Sequence, residues 1–263
     1  MEITLKQKEF LKDFSCERLS SNDENKQLIK SFANKRASQN VIKEFKTNAW
    51  DKDKEGHTAY YIIKYSKKEI VLFFAIKCGS LYTSFDAYIA DIARRIQHSG
   101  LDDRVIHNLQ KQKVSLQKSR AADEKKYQSQ HSQHVFETFP GIELALFYIN
   151  ETFTYRFKSI WAEQKIVHTI GTVLFWQHIS PLFEKIKKQI GCQYLFLFAA
   201  DSSADGKLIN YYSSILKFDD NDIFGTNKPV FDFLCQFMYQ EINGLQKHRE
   251  TFFLNFNPDE NDI

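Results

Sequence analysis

No stretch of this 263-residue chain approaches the roughly 20 consecutive apolar residues that span a bilayer, and its first ten residues, MEITLKQKEF, hold no apolar signal core. The expectation is a cytoplasmic protein without a membrane partner. Cysteine is scarce: Cys16, Cys78, Cys192 and Cys235 stand far apart, two of them in apolar strand-like runs where a free thiol behaves as a small hydrophobe. They read as reduced thiols. Charge of one sign is also missing. Against 36 basic residues stand 33 acidic ones, a net +3, so composition argues against a nucleic-acid or membrane-surface partner. The GxSxG elbow, the Walker lysine loop and the HExxH helix are absent. Ser202 and Ser203 follow a strand but have no defined histidine partner, so hydrolase chemistry is unsupported. His131 and His134 are three apart, as on one helical face, yet no third ligand is spaced nearby, and no metal is expected. There is no internal repeat.

What the chain does have is apolar and aromatic content, 43% and 15%, enough for a substantial packed core. Phe14–Leu19 reads as a first strand. Ser21 or Asn22 then caps a helix carrying Leu28, Ile29 and Phe32, and Ser38 or Asn40 caps another through Val41, Ile42 and Phe45. Asp51–His57 reads as a charged turn. The run TAYYIIKYSKKEIVLFFAIKCG divides at Ser66, Lys67 and Lys68 into two strands of a hairpin. Phe85, Tyr88, Ile89, Ile92 and Ile96 share a helical stripe. Residues 101–134 are rich in Lys, Gln, Ser and Arg with only a thin line of Val105, Leu109, Val114 and Leu116, and read as an exposed helical insertion. Residues 226–263 form a helical extension, with Phe233, Phe237 and Ile242 at helical intervals, Gly244 near the helix end and TFFLNF as an edge strand or loosely packed tail.

The organising stretch lies between. PGIELALFYIN, Pro140 to Asn150, is apolar enough for a strand buried on both faces. After a polar connection comes HTIG, with Gly171 opening a long amphipathic helix, then a second buried strand from Cys192 to Ala200, then LINYYSSILKF. A glycine at a helix start lets an anionic ligand approach unpaired amides at the positive end of the helix dipole. His168, Thr169, Ile170, Gly171, Thr172 and Val173, followed by Asn210 and Tyr212, resemble the pyrophosphate loop and later helix of the GNAT superfamily of N-acetyltransferases. His168 and Val173 depart from that family's loop pattern.

The resemblance, over about residues 60–218, implies a mixed α/β sheet of the GNAT type: one acyl-CoA N-acyltransferase domain carrying the two helical additions. It implies acetyl-CoA as co-substrate, an amine of unspecified identity as acceptor, and no metal. Phe147, Tyr148 and Ile149 at the strand end, His168 to Thr172 in the loop, and Asn210 would bind the coenzyme. Glu143, the carboxylate inside the apolar strand, would be the general base, because burial raises a carboxylate's pKa toward useful range. The bland alternative is a carboxylate at the sheet edge. Tyr212, or failing that Tyr211, would be the acid for the leaving thiolate, against core packing of a Tyr-Tyr pair. Two other functions stay open: a catalytically inactive coenzyme- or protein-binding module, and a toxin-like enzyme acting on a macromolecule such as a charged tRNA. A homodimer is compatible with the sequence.

Overall fold

The computed structural model describes residues 1–35, 37–84, 88–90, 92–93, 96, 103–127, 135–201, 203, 205–220, 224–226 and 235–257. Within them, six strands form one sheet in the order β1 to β6: β1 Phe14–Arg18, β2 Ala59–Tyr65, β3 Glu69–Ser84, β4 Val135–Ile149, β5 Tyr194–Ala199 and β6 Gln236–Glu241. The helices are α1 Leu5–Leu11, α2 Asn25–Leu28, α3 Gln39–Thr47, α4 Ala49–Lys54, α5 Asp103–Tyr127, α6 Glu151–Glu163, α7 Ile170–Leu174, α8 Ser180–Ile190, α9 Lys207–Asn210 and α10 Ile242–Leu254. The chain divides into two compact units: residues 1–79, 140–220 and 230–263 make the first, and residues 80–139 and 221–229 the second.

In the first unit β1, β2 and β3 are antiparallel neighbours. The β2–β3 connection turns at Ser66 and Lys67 with φ of 47° and 60°. This is the left-handed backbone of a hairpin turn, built here without glycine. Side chains alternate between two apolar layers: Tyr61 and Ile63 face one, Tyr60 and Ile62 the other. The first layer packs under α1, α6, α7, α8 and α10. The second is covered by α2 to α4, where Phe45 stacks on Phe73 with ring centroids 3.7 Å apart.

β4 breaks the alternation. Ile142 and Leu144 lie in the first layer together with Phe147 and Ile149, whereas Leu146 and Tyr148 lie in the second. One extra residue between Leu144 and Phe147 flips the faces, the effect of a bulge. Just there β4 loses its neighbour. It pairs in parallel with β5 from Gly141 to Glu143 against Tyr194 to Phe196, then runs on to Ile149, while β5 stays paired with β6 up to Ala199. The far end of β4 is held to β3 instead: Asn150 donates its backbone N–H to Val71 O at 2.7 Å and its Nδ2 to Ile70 O at 2.8 Å. The two central strands therefore splay.

Several sequence expectations change. Residues 51–57 are partly helical, in α4. The polar connection after Asn150 is the 13-residue helix α6, whose Phe153, Phe157 and Trp161 form an aromatic stripe against Phe10, Phe14 and Tyr65. The helix expected through Phe237 to Ile242 is instead β6 up to Glu241, because Met238 and Tyr239 point to opposite sides and β5 supplies a ladder. Gly244 lies inside α10, not at its end, and the TFFL of the expected edge strand completes that helix. Phe233, Phe85, His131, His134 and Ser202 lie outside the described residues.

In the second unit α5 is a 25-residue helix, and Gln112 Nε2 donates to the Tyr88 hydroxyl at 2.8 Å. Gly225 exchanges backbone hydrogen bonds with Tyr82.

Candidate active site

A cavity of about 1200 Å³ lies beside the end of β4, against α6. One wall is the end of β4, Phe147, Tyr148 and Ile149; another is His168, Thr169 and Ile170; a third is Leu208, Tyr211 and Tyr212. Seven of these were sequence candidates and one, Tyr211, the stated substitute. Distant segments thus converge because β4, the turn before α7 and the helix after β5 all end on the same side of the sheet.

The turn is built by Thr169. It caps α7: its Oγ1 accepts from Thr172 N at 3.3 Å and lies 2.8 Å from Thr172 Oγ1. Val173 N reaches Thr169 O, which leaves the amides of Ile170 and Gly171 without a hydrogen bond among the described residues. α7 continues through a π turn, Phe175–Ile179, into α8, which ends at Gly191 in the left-handed conformation, φ 66°. Thr172 and Gly171 are buried behind the cavity wall. A Cβ on Gly171 would come within 2.7 Å of Ile149 Cδ1, so the missing side chain admits the end of β4.

His168 turns away from the role of a cation. Its ring lies 4.7 Å from Phe252 and 5.2 Å from Phe256, and burial lowers its pKa despite a hydrogen bond to the Phe256 backbone. The ring is neutral at pH 7. The cationic side chains of the cavity come from elsewhere, Lys35 before α3, and Arg156 and Lys158 on α6. Arg156 also pairs with Glu69. Sequence reasoning missed them by leaving α6 undrawn; the signal was the aromatic spacing i, i+4, i+8 at Phe153, Phe157 and Trp161.

Tyr211 and Tyr212 begin the second π turn, Tyr211–Ile215. The Tyr211 hydroxyl receives a 3.4 Å hydrogen bond from Thr172 Oγ1, and burial pushes its pKa up to about 12. Tyr212 packs at 5.9 Å on Phe218, and burial raises its pKa further. Both phenols hold their protons at neutral pH. Asn210 is exposed and outside the cavity lining. Glu143 is half-buried on β4 where the parallel pairing ends, opposite Phe196, and is also outside that lining. Burial raises its pKa, and Lys77 partly opposes this. Among the described residues no cluster of His, Cys, Asp and Glu could hold a metal, and no helix is long and apolar enough to cross a membrane.

No family model and no curated protein matches the chain. Solved structures do. An AtaT mutant toxin superposes with a TM-score of 0.50 at 10% identity, over 89% of this chain and 93% of that one. A KacT mutant gives 0.48 at 11%, over 89% and 98%, and AtaTR bound with AcCoA gives 0.47 at 11%, over 90% and 98%. At such identities the likeness speaks for architecture alone. With the parallel pair β4 and β5, the first of these likenesses gives this chain a mixed α/β fold like that of the AtaT toxin structure.

Proposed function

We propose that the chain is an N-acetyltransferase that takes an acetyl group from acetyl-CoA to an amine. The observation that carries this reading is the cavity beside the free end of β4, bounded by α6, the α7 start and the Tyr211–Tyr212 pair. Backbone groups that the splay of β4 from β5 leaves without a strand partner suit the amides of an extended pantetheine arm. The free amides of Ile170 and Gly171, with Lys35 and Lys158, suit its phosphates.

The amine nitrogen attacks the thioester carbonyl carbon, and its proton passes to Glu143, directly or through water. The C–S bond then breaks, and the thiolate takes a proton from Tyr212. Tyr211, bonded to Thr172, positions the turn. A raised pKa suits Glu143 to hold the proton it receives.

The neutral, aromatic-packed His168 and the helix α6 between β4 and the turn favour a second reading, a coenzyme- or protein-binding module without turnover. Titrating acetyl-CoA, CoA and unrelated nucleotides against melting temperature tests both. A ligand at 100 times its Kd stabilises by about 2.7 kcal/mol. Stabilisation by acetyl-CoA and CoA, with turnover on an amine that Tyr212→Phe removes and Tyr211→Phe keeps, supports the enzyme. Stabilisation without turnover supports a coenzyme-binding module, and no stabilisation overturns both the enzyme and that module.

A further inference from the structure

The whole-chain charge of +3 hides a concentration. α5 carries seven basic and three acidic residues, and between Arg104 and Ala122 it has five basic residues and no acidic one. These charges are ordered on the helix. Arg104, Lys111 and Lys118 recur every seven residues, two turns apart, so they fall on one face. His107, Asn108 and Ser115 lie between them on the same face, and all six are exposed. The opposite face, Ile106, Leu109 and Lys113, is the half-buried one. A helix 25 residues long therefore presents a stripe of cations and hydrogen-bond donors, about 21 Å from Arg104 to Lys118 at 1.5 Å per residue.

We infer that this stripe of α5 docks double-helical RNA through its sugar-phosphate backbone, without regard to base sequence. Charge complementarity makes the partner a polyanion, because six donors in a row with no carboxylate among them match phosphate and hydroxyl oxygens. A lipid surface fits poorly. A helix lying in a bilayer interface needs a broad apolar face with Trp, Phe or Leu, and among the described side chains of α5 the exposed large apolar ones are Val105 and Val114. The contact uses one face of one helix. The wide, shallow minor groove of A-form RNA displays phosphates and 2′-hydroxyls flush with its surface, where such a face can reach them. B-DNA lacks the 2′-hydroxyls that Asn108 and Ser115 can meet, and its minor groove is narrow, about 6 Å wide. The inference does not depend on acetyl transfer.

The test uses the full chain and fluorescence anisotropy with an RNA duplex of about 20 base pairs, in two unrelated sequences, across a KCl series. Both RNAs should bind alike, with log affinity falling linearly in log salt. Lys111→Ala combined with Lys118→Ala should weaken binding at least about ten-fold and make the salt slope shallower by about two, one for each lost phosphate contact. Lys6→Ala with Lys188→Ala, two exposed lysines of the other unit, should change neither. Unchanged melting temperatures keep the comparison clean. Absence of RNA binding at about 50 mM salt, an unaltered double variant, a DNA duplex bound as tightly, or capture by anionic vesicles but not RNA would each overturn the assignment.

Discussion

Glu143 sits where two tendencies oppose each other. Burial on β4 disfavours its charge, and Lys77 favours it, with burial the larger. Its folded pKa therefore stands above the unfolded value, so the native state holds the proton more tightly. That contribution to stability is fully present below the ordinary carboxylate range near 4.5 and is lost as pH rises through the raised value. Glu143→Gln lacks the titration. The stability of the variant relative to the natural protein should grow as pH rises from about 4 to 7, read from urea midpoints. As a base, the same residue should cost about 10²–10⁴-fold in turnover when replaced, with acetyl-CoA affinity unchanged. Gly171 tells a different story. The sequence offered a ligand as the reason for its missing side chain, yet the nearest atom to a Cβ there is Ile149 Cδ1. Gly171→Val should push Ile149 into the cavity, lowering stability by about 1–3 kcal/mol and weakening acetyl-CoA binding. If calorimetry finds the affinity intact while the melting temperature drops, the glycine serves packing alone.

At the level of elements, what was legible followed from strong periodicity, and what was missed followed from competing signals. The hairpin and the strand at Pro140 to Ile149 carried dense β-branched and aromatic runs. The loop residues His168 to Thr172 stood out by position. α6 was hidden because ETFTYRFKSIWAE mixes threonines and aromatics, residues with strand preference, at helical spacing. Tertiary packing decides the matter. Phe157 is buried between Phe10, Phe14, Tyr65 and Phe153, with centroids from 4.5 to 6.0 Å away. β6 failed in the opposite sense: Phe237 and Ile242 satisfy a helical interval, but the unpaired edge of β5 offers a full ladder from Tyr194 to Ala199. Phe157→Ala should cost about 3–5 kcal/mol, seen as a shifted denaturant midpoint, because the cavity it leaves is walled by rigid rings. A loss below about 1 kcal/mol would mean that α6 is not anchored by that stripe.

On the scale of the molecule, the division of labour is visible in where the apolar contacts lie. Among the described residues, both hydrophobic clusters draw every member from the first unit, and none from residues 80–139. The sequence reads residues 101–134 as a polar helical insertion, within which α5 lies, but averaging charge over 263 residues conceals its basic stripe. Replacing residues 102–133 with a short Gly-Ser linker removes α5 and no side chain of either cluster. The first unit keeps its splayed strands, its cavity and the α7 turn, since all of these are built from residues outside the excision. Acetyl-CoA should therefore stabilise the shortened chain as much as the full one, while RNA binding disappears. The cooperative melting transition should survive with a shift of only a few degrees, because no described residue of the excised stretch belongs to either cluster. A shortened protein that is insoluble, or that melts without a cooperative transition, would show that α5 supplies core contacts and that its half-buried face at Ile106 and Leu109 matters to folding.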